Sequence, residues 1–432
     1  MVIKMKGKYY SMKDVQKMIV IQSVIDQKRT GKEASDLLKI SERQVWRLVK
    51  KVKENGIDEI THGNRNRKPK NKISEDIVQK VVELKKSHNY EDANFKHFTE
   101  LLEEKENIKL SYSTVYNIMK KNGFISKNKH KDRIVHRRRK RKEHEGDLVQ
   151  ADGTPFAWFE DGIMYSIHGF IDDATGKVLG LYMMKNECLL GYLEALRYML
   201  KNFGIPKILY PDKYSVFFPT KTQTVSIEEQ LQGKQKPTTQ FMDIITTLGI
   251  NMFPASTSQA KGRIERLWKT LQDRLITEFR INNITTLEQA NKFFTKFIPK
   301  YNKQFSVEPA KKDSHFSKVP DYIDLDLLLS AKLQRVIDNA GSFTINGQRF
   351  QIINNKILPN VKVNIYISQK KGIIVIHDNI EYKVICGLDV PSTYSTHTVN
   401  QLYKENNEKV VEFATNMLTY DSKINPPILT SS

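Results

Sequence analysis

Cysteine is nearly absent from this chain: two residues in 432, Cys188 and Cys386. So far apart, they form neither a disulfide framework nor a zinc pattern, and a reducing, cytoplasmic setting is expected. The ten histidines show no ligand-like spacing along the chain, which argues against a zinc domain of the Cys/His type. No apolar run approaches the ~20 residues that a membrane-spanning helix needs. The lysine-rich start, Met1 to Tyr9, has no apolar stretch behind it of the kind a secretory signal carries. No internal repeat is present. Acidic residues are the minority charge, 49 against 70 lysines and arginines, for a formal net charge of +21. That excess suggests a polyanionic partner and says nothing of fold. Nucleic acid is the first candidate, and without a spanning segment an anionic membrane surface falls behind it.

What is there divides into stretches of different character, and the length has room for two to four domains. Residues 11–56 read as three helices. The first, Lys13–Lys28, carries Val15, Ile19, Ile21, Val24 and Ile25 mostly at helical spacing, and a short one follows over Lys32–Leu38. Ser41 with Gln44 makes a capping-box start for the third, which holds Val45, Leu48, Val49 and Val52 on one side and ends at Gly56. Arg43, Gln44, Arg47, Lys50 and Lys51 occupy its other faces. A basic hinge, His62–Lys72, contains Arg65 and Arg67. A second helical unit runs from Ser74 to Phe124, and residues 127–142 end in the basic run His136–Lys142, which includes Arg137, Arg138 and Arg139. Such a run is solvated or on DNA and cannot be core.

At Gly146 the pattern changes. Leu148–Phe159, Met164–Ile171 and Val178–Met184 read as consecutive strands, and a helix is expected over Leu189–Phe203. Lys207–Tyr210 is a buried strand and residues 213–237 an inserted loop. Phe241–Leu248 then reads as a helix, Ile250–Phe253 as a strand and Ser258–Phe279 as a long helix. This is an α/β core. Residues 335–386 alternate short β patterns consistent with a small barrel, and the chain beyond about Val390 has few periodic signals.

Three carboxylates stand where phosphodiester chemistry wants them. Asp152 lies in the first strand of the α/β region, Asp212 just after a buried strand, and Glu265 early on the long helix. Hard oxygen ligands spread over several elements suit Mg²⁺ or Mn²⁺. A pair of such ions can activate an attacking oxygen and stabilise a leaving one, with no protein nucleophile needed. By pattern alone, however, any three of 49 acids can be picked, and Asp-Gly or Asp-Lys after a strand is ordinary turn chemistry. Asp172 and Asp173 remain rivals, although Thr175-Gly176-Lys177 beside them favours a hairpin turn. Around Glu265, Lys261, Arg263, Arg266 and Lys269 are placed to hold substrate phosphates, or to form a solvated helix face over a core of Ile264, Leu267, Trp268 and Leu271. Gln259 is a further candidate for DNA contact. Arg43, Gln44 and Arg47 are candidates for a major groove and Arg65 to Lys70 for a minor groove, against a protein-contacting bundle and an ordinary charged hinge. Trp158 and Phe159 read better as packing residues than as base stackers.

The stretches LVQADGTPFAWFEDG (Leu148–Gly162), IDDATG (Ile171–Gly176), YPDKYSVF (Tyr210–Phe217) and ASTSQAKGRIERLWKTLQDRL (Ala255–Leu275) carry a resemblance. The chain resembles insertion-sequence transposases of the DDE, retroviral-integrase-like superfamily, close to the ISNCY type, over nearly its whole length. The resemblance implies Asp152, Asp212 and Glu265 as the catalytic metal ligands, two Mg²⁺ ions (or Mn²⁺), and an RNase H-like core with the first Asp on a central strand. Thr257, where a proline is commoner, and Lys213-Tyr214, for Arg-His or Arg-Gly, depart from the family wording without touching a ligand. The organisation expected is a multidomain α/β chain. It has a helix-turn-helix unit (1–60), a basic linker (61–73), a second winged-helix or helix-turn-helix-like unit (74–126) and a second basic linker (127–145). The RNase H-like core (146–305), a linker (306–334), a small β-barrel (335–390) and a tail (391–432) follow. The DNA contacts expected are Arg43, Gln44, Arg47, Lys50, Arg65, Arg67, Arg137, Arg138, Arg139, Lys261, Arg263 and Lys269. The activity implied is cleavage at the terminal inverted repeats of a mobile element and strand transfer into target DNA, by a homo-oligomer of a bacterial, nucleoid-associated protein. A catalytically inactive DNA-binding regulator of the same descent is the alternative. A nuclease on the same kind of core would leave the paired helical units unexplained.

Overall fold

The computed structural model describes residues 2–5, 8–60, 72–126, 139–219, 238–255, 261–353, 356–368, 370–386, 409–411 and 413–414. The chain forms two compact units, Met1–Lys80 and Val81–Ser432. No described helix is long and apolar enough to cross a membrane.

The first unit opens with a hairpin that the sequence did not announce, β1 (Val2–Met5) antiparallel to β2 (Lys8–Ser11). Three helices follow, α1 (Met12–Ile25), α2 (Gly31–Leu38) and α3 (Glu42–Asn55), each started by a hydroxyl that caps a free backbone N–H. The reciprocal capping box expected at Ser41 occurs instead at Thr30 with Glu33, while Ser41 accepts from the Gln44 N–H at 3.3 Å. Val45, Val49 and Val52 recur at helical spacing and bury against Ile21, Val24 and Ala34. Gly56 ends α3 with φ +87°, a left-handed value that a side chain resists.

The helix α4 (Glu75–Lys86) spans the division between the units. In the second unit, α5 (Phe95–Glu106) and α6 (Tyr112–Lys121) follow. Among the described residues from 72 to 126 there is no strand.

The centre of the second unit is a five-stranded sheet in the order β5-β4-β3-β6-β7. Its strands are β3 (Val149–Phe156), β4 (Tyr165–Asp172), β5 (Val178–Met184), β6 (Ile208–Tyr210) and β7 (Asn251–Met252). β3, β4 and β5 form an antiparallel meander, whereas β3, β6 and β7 are mutually parallel neighbours. Helices cover both faces. α7 (Leu189–Asn202) and α8 (Gln240–Thr247) bury Leu193, Leu196, Phe241 and Ile245 against Val149, Ala151 and Leu209. On the other face α9 (Gly262–Ile281) and α10 (Leu287–Phe305) bury Leu267, Leu271, Phe294 and Phe297 against Ile167, Ile171 and Leu181. Trp158 and Phe159 are core residues of that second cluster.

No element was expected over 287–305, yet α10 lies along the sheet edge. Its Asn291 and Asn302 each accept a backbone N–H and donate to the carbonyl of the same edge residue, Met183 and Val178 respectively, at 2.7–3.0 Å. The two asparagines stand about 16 Å apart along a helix, the reach of the strand between Val178 and Met183. The amides thus satisfy an edge that would otherwise invite another chain.

α7 comes very close to the sheet. A Cβ on Gly180 would lie 2.2 Å from the Ala195 carbonyl oxygen, and one on Gly191 2.3 Å from the His168 ring. That buried ring spans two backbone groups, its Nδ1 3.1 Å from the Tyr182 carbonyl and its Nε2 accepting from the Cys188 N–H at 2.9 Å.

After the short α11 (Leu325–Leu328), a six-stranded antiparallel sheet runs in the order β8-β11-β12-β13-β10-β9. The strands are β8 (Ala331–Val336), β9 (Ser342–Ile345), β10 (Gln348–Ile352), β11 (Lys362–Ser368), β12 (Gly372–His377) and β13 (Ile380–Cys386). Its two end strands are linked by the Arg335 guanidinium donating to the Thr344 carbonyl at 3.2 Å, which nearly closes the sheet. The sheet begins at Ala331, inside the stretch expected to be linker, because Ala331 and Leu333 already alternate toward its core. Cys188 and Cys386 are both free thiols.

Burial pushes the His168 imidazole down to about 4 from an ordinary 6.5. The stability tied to its neutral form is fully present above pH 6.5 and is lost as pH falls toward 4, at a cost of about 3 kcal/mol. Denaturant melts between pH 7 and pH 4 should therefore fall more steeply for the natural chain than for His168→Gln. Parallel declines would remove His168 from the account.

Candidate active site

Strand register decides which carboxylates meet. β3 and β6 run parallel with Gln150 level with Tyr210, so two residues further along each strand Asp152 comes level with Asp212. Both carboxylates reach one cation: Lys261 Nζ is 2.7 Å from Asp152 Oδ1 and bonds Asp212 Oδ1 as well. The Lys261 side chain is 7% exposed, against 48% for Asp212, so the ammonium is sunk between the pair and Asp212 opens to solvent.

The helix α9 lies across β3 on the Asp152 face. Gln150, Asp152 and Thr154 alternate with the strand period and share that face. The Gln150 side-chain oxygen accepts from the Ile264 N–H at 3.2 Å, Trp268 Nε1 donates to Asp152 Oδ2 at 2.9 Å, and Gln272 donates to Thr154 at 3.3 Å. Lys261, Glu265, Trp268 and Gln272 are spaced by four, three and four residues and form one stripe along the helix. Glu265 is the exposed member of the stripe, and among the described residues its carboxylate has no hydrogen-bond or ion partner. Gly169, opposite Asp152 on β4, makes room for the Trp268 ring: a Cβ there would sit 2.5 Å from it.

Burial holds the Asp152 carboxyl above its ordinary range, while Lys261 and Trp268 pull it back. A fourth carboxyl lies on the opposite face of β3, where Glu187 packs over Gly153 and accepts from the Tyr192 hydroxyl. Burial pushes Glu187 up to about 7; the charges of Asp152 and Asp212 add to this, and Tyr192 and Lys261 oppose it. Nothing in the motif pattern singled out Glu187, Gln150 or Trp268. The strand period from Asp152 identifies Gln150, and the helix period from Glu265 identifies Trp268.

The rival carboxylates have other work. Asp172 accepts from Gly146 N–H, Thr175 N–H and the Thr175 hydroxyl at 2.7–3.0 Å, closing the β4–β5 turn as its neighbours suggested. Asp173 is fully buried and pairs with Arg139 and with Arg263 Nε at 2.9 Å. It also accepts from Lys142 N–H at 3.0 Å and from Gln150 Nε2 at 3.1 Å.

The cations assigned to DNA divide accordingly. Lys261, Arg263 and Arg139 are engaged with carboxylates, while Lys269 is exposed on α9. On α3, Arg43, Arg47 and Lys50 are exposed and Gln44 is half-buried. Arg65, Arg67, Arg137, Arg138 and Gln259 lie outside the described residues.

No protein-family model matches the chain. It is 35% identical over 360 residues to the transposase for insertion sequence IS1202 of Streptococcus pneumoniae, with 76% of each chain covered. A second relative, the y4bF transposase of Sinorhizobium fredii, is 34% identical over 351 residues, covering 80% of this chain and 74% of that one. Among solved structures, similarity extends to a simian T-cell lymphotropic virus intasome in complex with PP2A regulatory subunit B56 gamma. There the identity is 14% and the TM-score 0.29, over 70% of this chain and 95% of that one. It extends also to the HTLV-2 integrase catalytic core domain in complex with magnesium, at 17% identity and TM-score 0.24, over 35% and 82% of the two chains.

Replacing Asp173 by alanine leaves Arg263 and the Gln150 amide without their buried partner while Arg139, 36% exposed, is met by water, at a cost of about 1–3 kcal/mol. Chemical denaturation of Asp173→Ala should show a loss of that order. A loss below about 1 kcal/mol, the worth of a surface pair, would show that the hub carries no such weight.

Proposed function

The chain belongs to the transposases of insertion sequences, enzymes of the polynucleotidyl-transferase type, and we propose that it cuts and joins DNA using Asp152, Asp212 and Glu265 as metal-holding carboxylates. One observation carries this reading: two carboxylates from neighbouring parallel strands converge on the single ammonium of Lys261. An ammonium held by two carboxylates marks a place where a cation is stable, and an all-oxygen donor set suits Mg²⁺ or Mn²⁺. Glu265, on the same helical stripe, would supply the third ligand. Two divalent ions, when bound there, supply the charge that activates an attacking oxygen and stabilises a leaving one.

The chain's own residues position this chemistry. Trp268 fixes one Asp152 oxygen, Gln150 ties the first turn of α9 to β3, and Lys269 offers an exposed cation to a phosphate. The reaction proposed is hydrolysis of a phosphodiester at the element end, which releases a 3′-hydroxyl. That hydroxyl then attacks a target phosphodiester in line, forming one P–O bond as another breaks. Reading of the element's terminal inverted repeats falls to the first unit, as a helix-turn-helix with Arg43, Gln44, Arg47 and Lys50 facing DNA. The sheet with helices on both faces is read as the RNase H-like core. Double-stranded DNA is the partner proposed, at both ends and target, bound by a homo-oligomer that brings two ends together.

Asp152→Asn should abolish Mg²⁺-dependent cleavage and joining of a fragment carrying the element end while end binding persists in a gel-shift assay. Full activity in that variant overturns the triad. End binding without cleavage by the natural chain would instead favour a DNA-binding regulator. Separately, Arg47→Ala should weaken cognate-end binding about tenfold or more, corresponding to the loss of one base contact. An equal loss on random DNA would reduce Arg47 to a phosphate contact.

A further inference from the structure

We propose a second, structural metal site, a His₂Asp site for Zn²⁺ or a similar transition metal, made by His144, Asp313 and His315 at the entrance to β3. Two stretches of chain lie side by side there. The Lys311 N–H donates to the Glu143 carbonyl at 3.0 Å and the His315 N–H to the Glu145 carbonyl at 2.8 Å, so His144 and His315 are set by backbone pairing. Their rings stack with centroids 3.8 Å apart. Gly146, at φ +84°, permits the approach: a Cβ there would stand 2.7 Å from the Phe316 nitrogen.

Two of the ligand-to-ligand distances are close to those around a tetrahedral ion, and binding one parts the stacked rings, because two imidazoles on such an ion have centroids about 5 Å apart. One ligand atom from each of the three residues lies within 4.8 Å of the others. Asp313 Oδ2 is 2.9 Å from His144 Nδ1 and 3.5 Å from His315 Nε2. Ligands at ~2.0–2.1 Å from a tetrahedral Zn²⁺ stand roughly 3.3 Å from one another. The far side of one ring is also prepared, because His315 Nδ1 is 2.7 Å from Asp147 Oδ1. A carboxylate on the remote nitrogen is the usual support of a metal-bound imidazole. With Nδ1 directed to Asp147, His315 presents Nε2 to Asp313 Oδ2, while His144 Nδ1 also lies 3.2 Å from the Asp313 carbonyl oxygen.

Lys207 Nζ also stands 2.7 Å from His315 Nδ1 and 3.4 Å from Asp147 Oδ1. The nitrogen cannot donate to Asp147 and accept from Lys207 at once. In the metal-bound arrangement Lys207 donates to Asp147 and balances its charge. Two imidazoles and a carboxylate leave a fourth position for water, a set that suits Zn²⁺, Co²⁺ or Ni²⁺ better than Mg²⁺. The ion would fasten the chain entering β3 to the chain that follows α10. The residues it steadies, 139–147, include Arg139 and Lys142 on Asp173. Linear spacing hid the site, since His144 and His315 come from opposite ends of the α/β core.

The test uses the full chain, stripped with chelator and titrated with Co²⁺ and then Zn²⁺. One equivalent should give the strong visible absorption of tetrahedral Co²⁺, displaced by Zn²⁺, and Zn²⁺ should raise the melting temperature. His144→Gln and Asp313→Asn should each lose that equivalent, and Asp147→Asn should bind Zn²⁺ at least tenfold more weakly. Asp313 is 65% exposed, so its variant keeps the fold. Asp152→Asn should retain both the spectrum and the melting shift, which separates this site from the proposed catalytic one. The proposal is overturned by Zn²⁺ binding unchanged in Asp313→Asn and His144→Gln, or by no Zn²⁺ bound at micromolar concentration. A Co²⁺ signal lost in Asp152→Asn alone overturns it equally.

Discussion

The fully buried carboxylate of Asp173 is the constraint on which the active-site geometry depends. A lone carboxylate with no water around it is costly unless its charge and lone pairs are met. Here Arg139, Arg263, Gln150 and the Lys142 N–H meet them. The four partners come from three segments: Arg139 and Lys142 from the basic run before β3, Arg263 from the first turn of α9, and Gln150 from β3 itself. Gln150 then passes the constraint on, since its oxygen holds the Ile264 N–H while its amide holds Asp173. The start of α9 is therefore fixed against β3 from two sides, and Lys261 and Glu265 are carried there with it.

Burial dominates the electrostatics of the centre. Asp152 stays above its ordinary range even with Lys261 and Trp268 bonded to it, because burial outweighs both. Glu187 across the strand is raised for the same first reason, and the two aspartates add to it. Burial is thus what raises both carboxyls, with neighbouring carboxylate charge adding to it.

Much of this was legible in the sequence, for reasons that can be named. The strands of the central sheet follow period-two or continuous apolar runs, and their bounds fall within a few residues of those expected. The choice between Asp152 and its rivals Asp172 and Asp173 was not legible from spacing. Asp152 lies within β3 and its rivals at the end of β4, and the partners brought in from Arg139, Gly146 and Arg263 distinguish a turn brace and a buried hub from a residue that meets Asp212. α10 was missed because the asparagines that bind the sheet edge look like any solvent-facing polar residues. The early start of β8 was missed for a similar reason, as Lys332 and Gln334 between its inward residues read as linker.

Net charge proved a poor map of where DNA is expected to lie. A cation contributes to phosphate binding by releasing counterions from the nucleic acid, which requires that it not already be spent on a carboxylate. Lys261, Arg263 and Arg139 belong to the most basic stretches of the sequence, yet each is paired with a buried or half-buried acid. Arg43, Arg47, Lys50 and Lys269 are exposed, and among the described residues only Lys50 of these has a near carboxylate, Glu54 at 3.9 Å across one helical turn. Such an exposed pair is weak and screened by salt, so it hardly holds Lys50 back from a phosphate. Among these candidates the exposed charge lies on α3 and on the flank of α9, one turn beyond Glu265. On the proposed reading, DNA drawn by exposed charge would meet the site from the α9 flank, where Glu265 is exposed and Asp212 half-exposed.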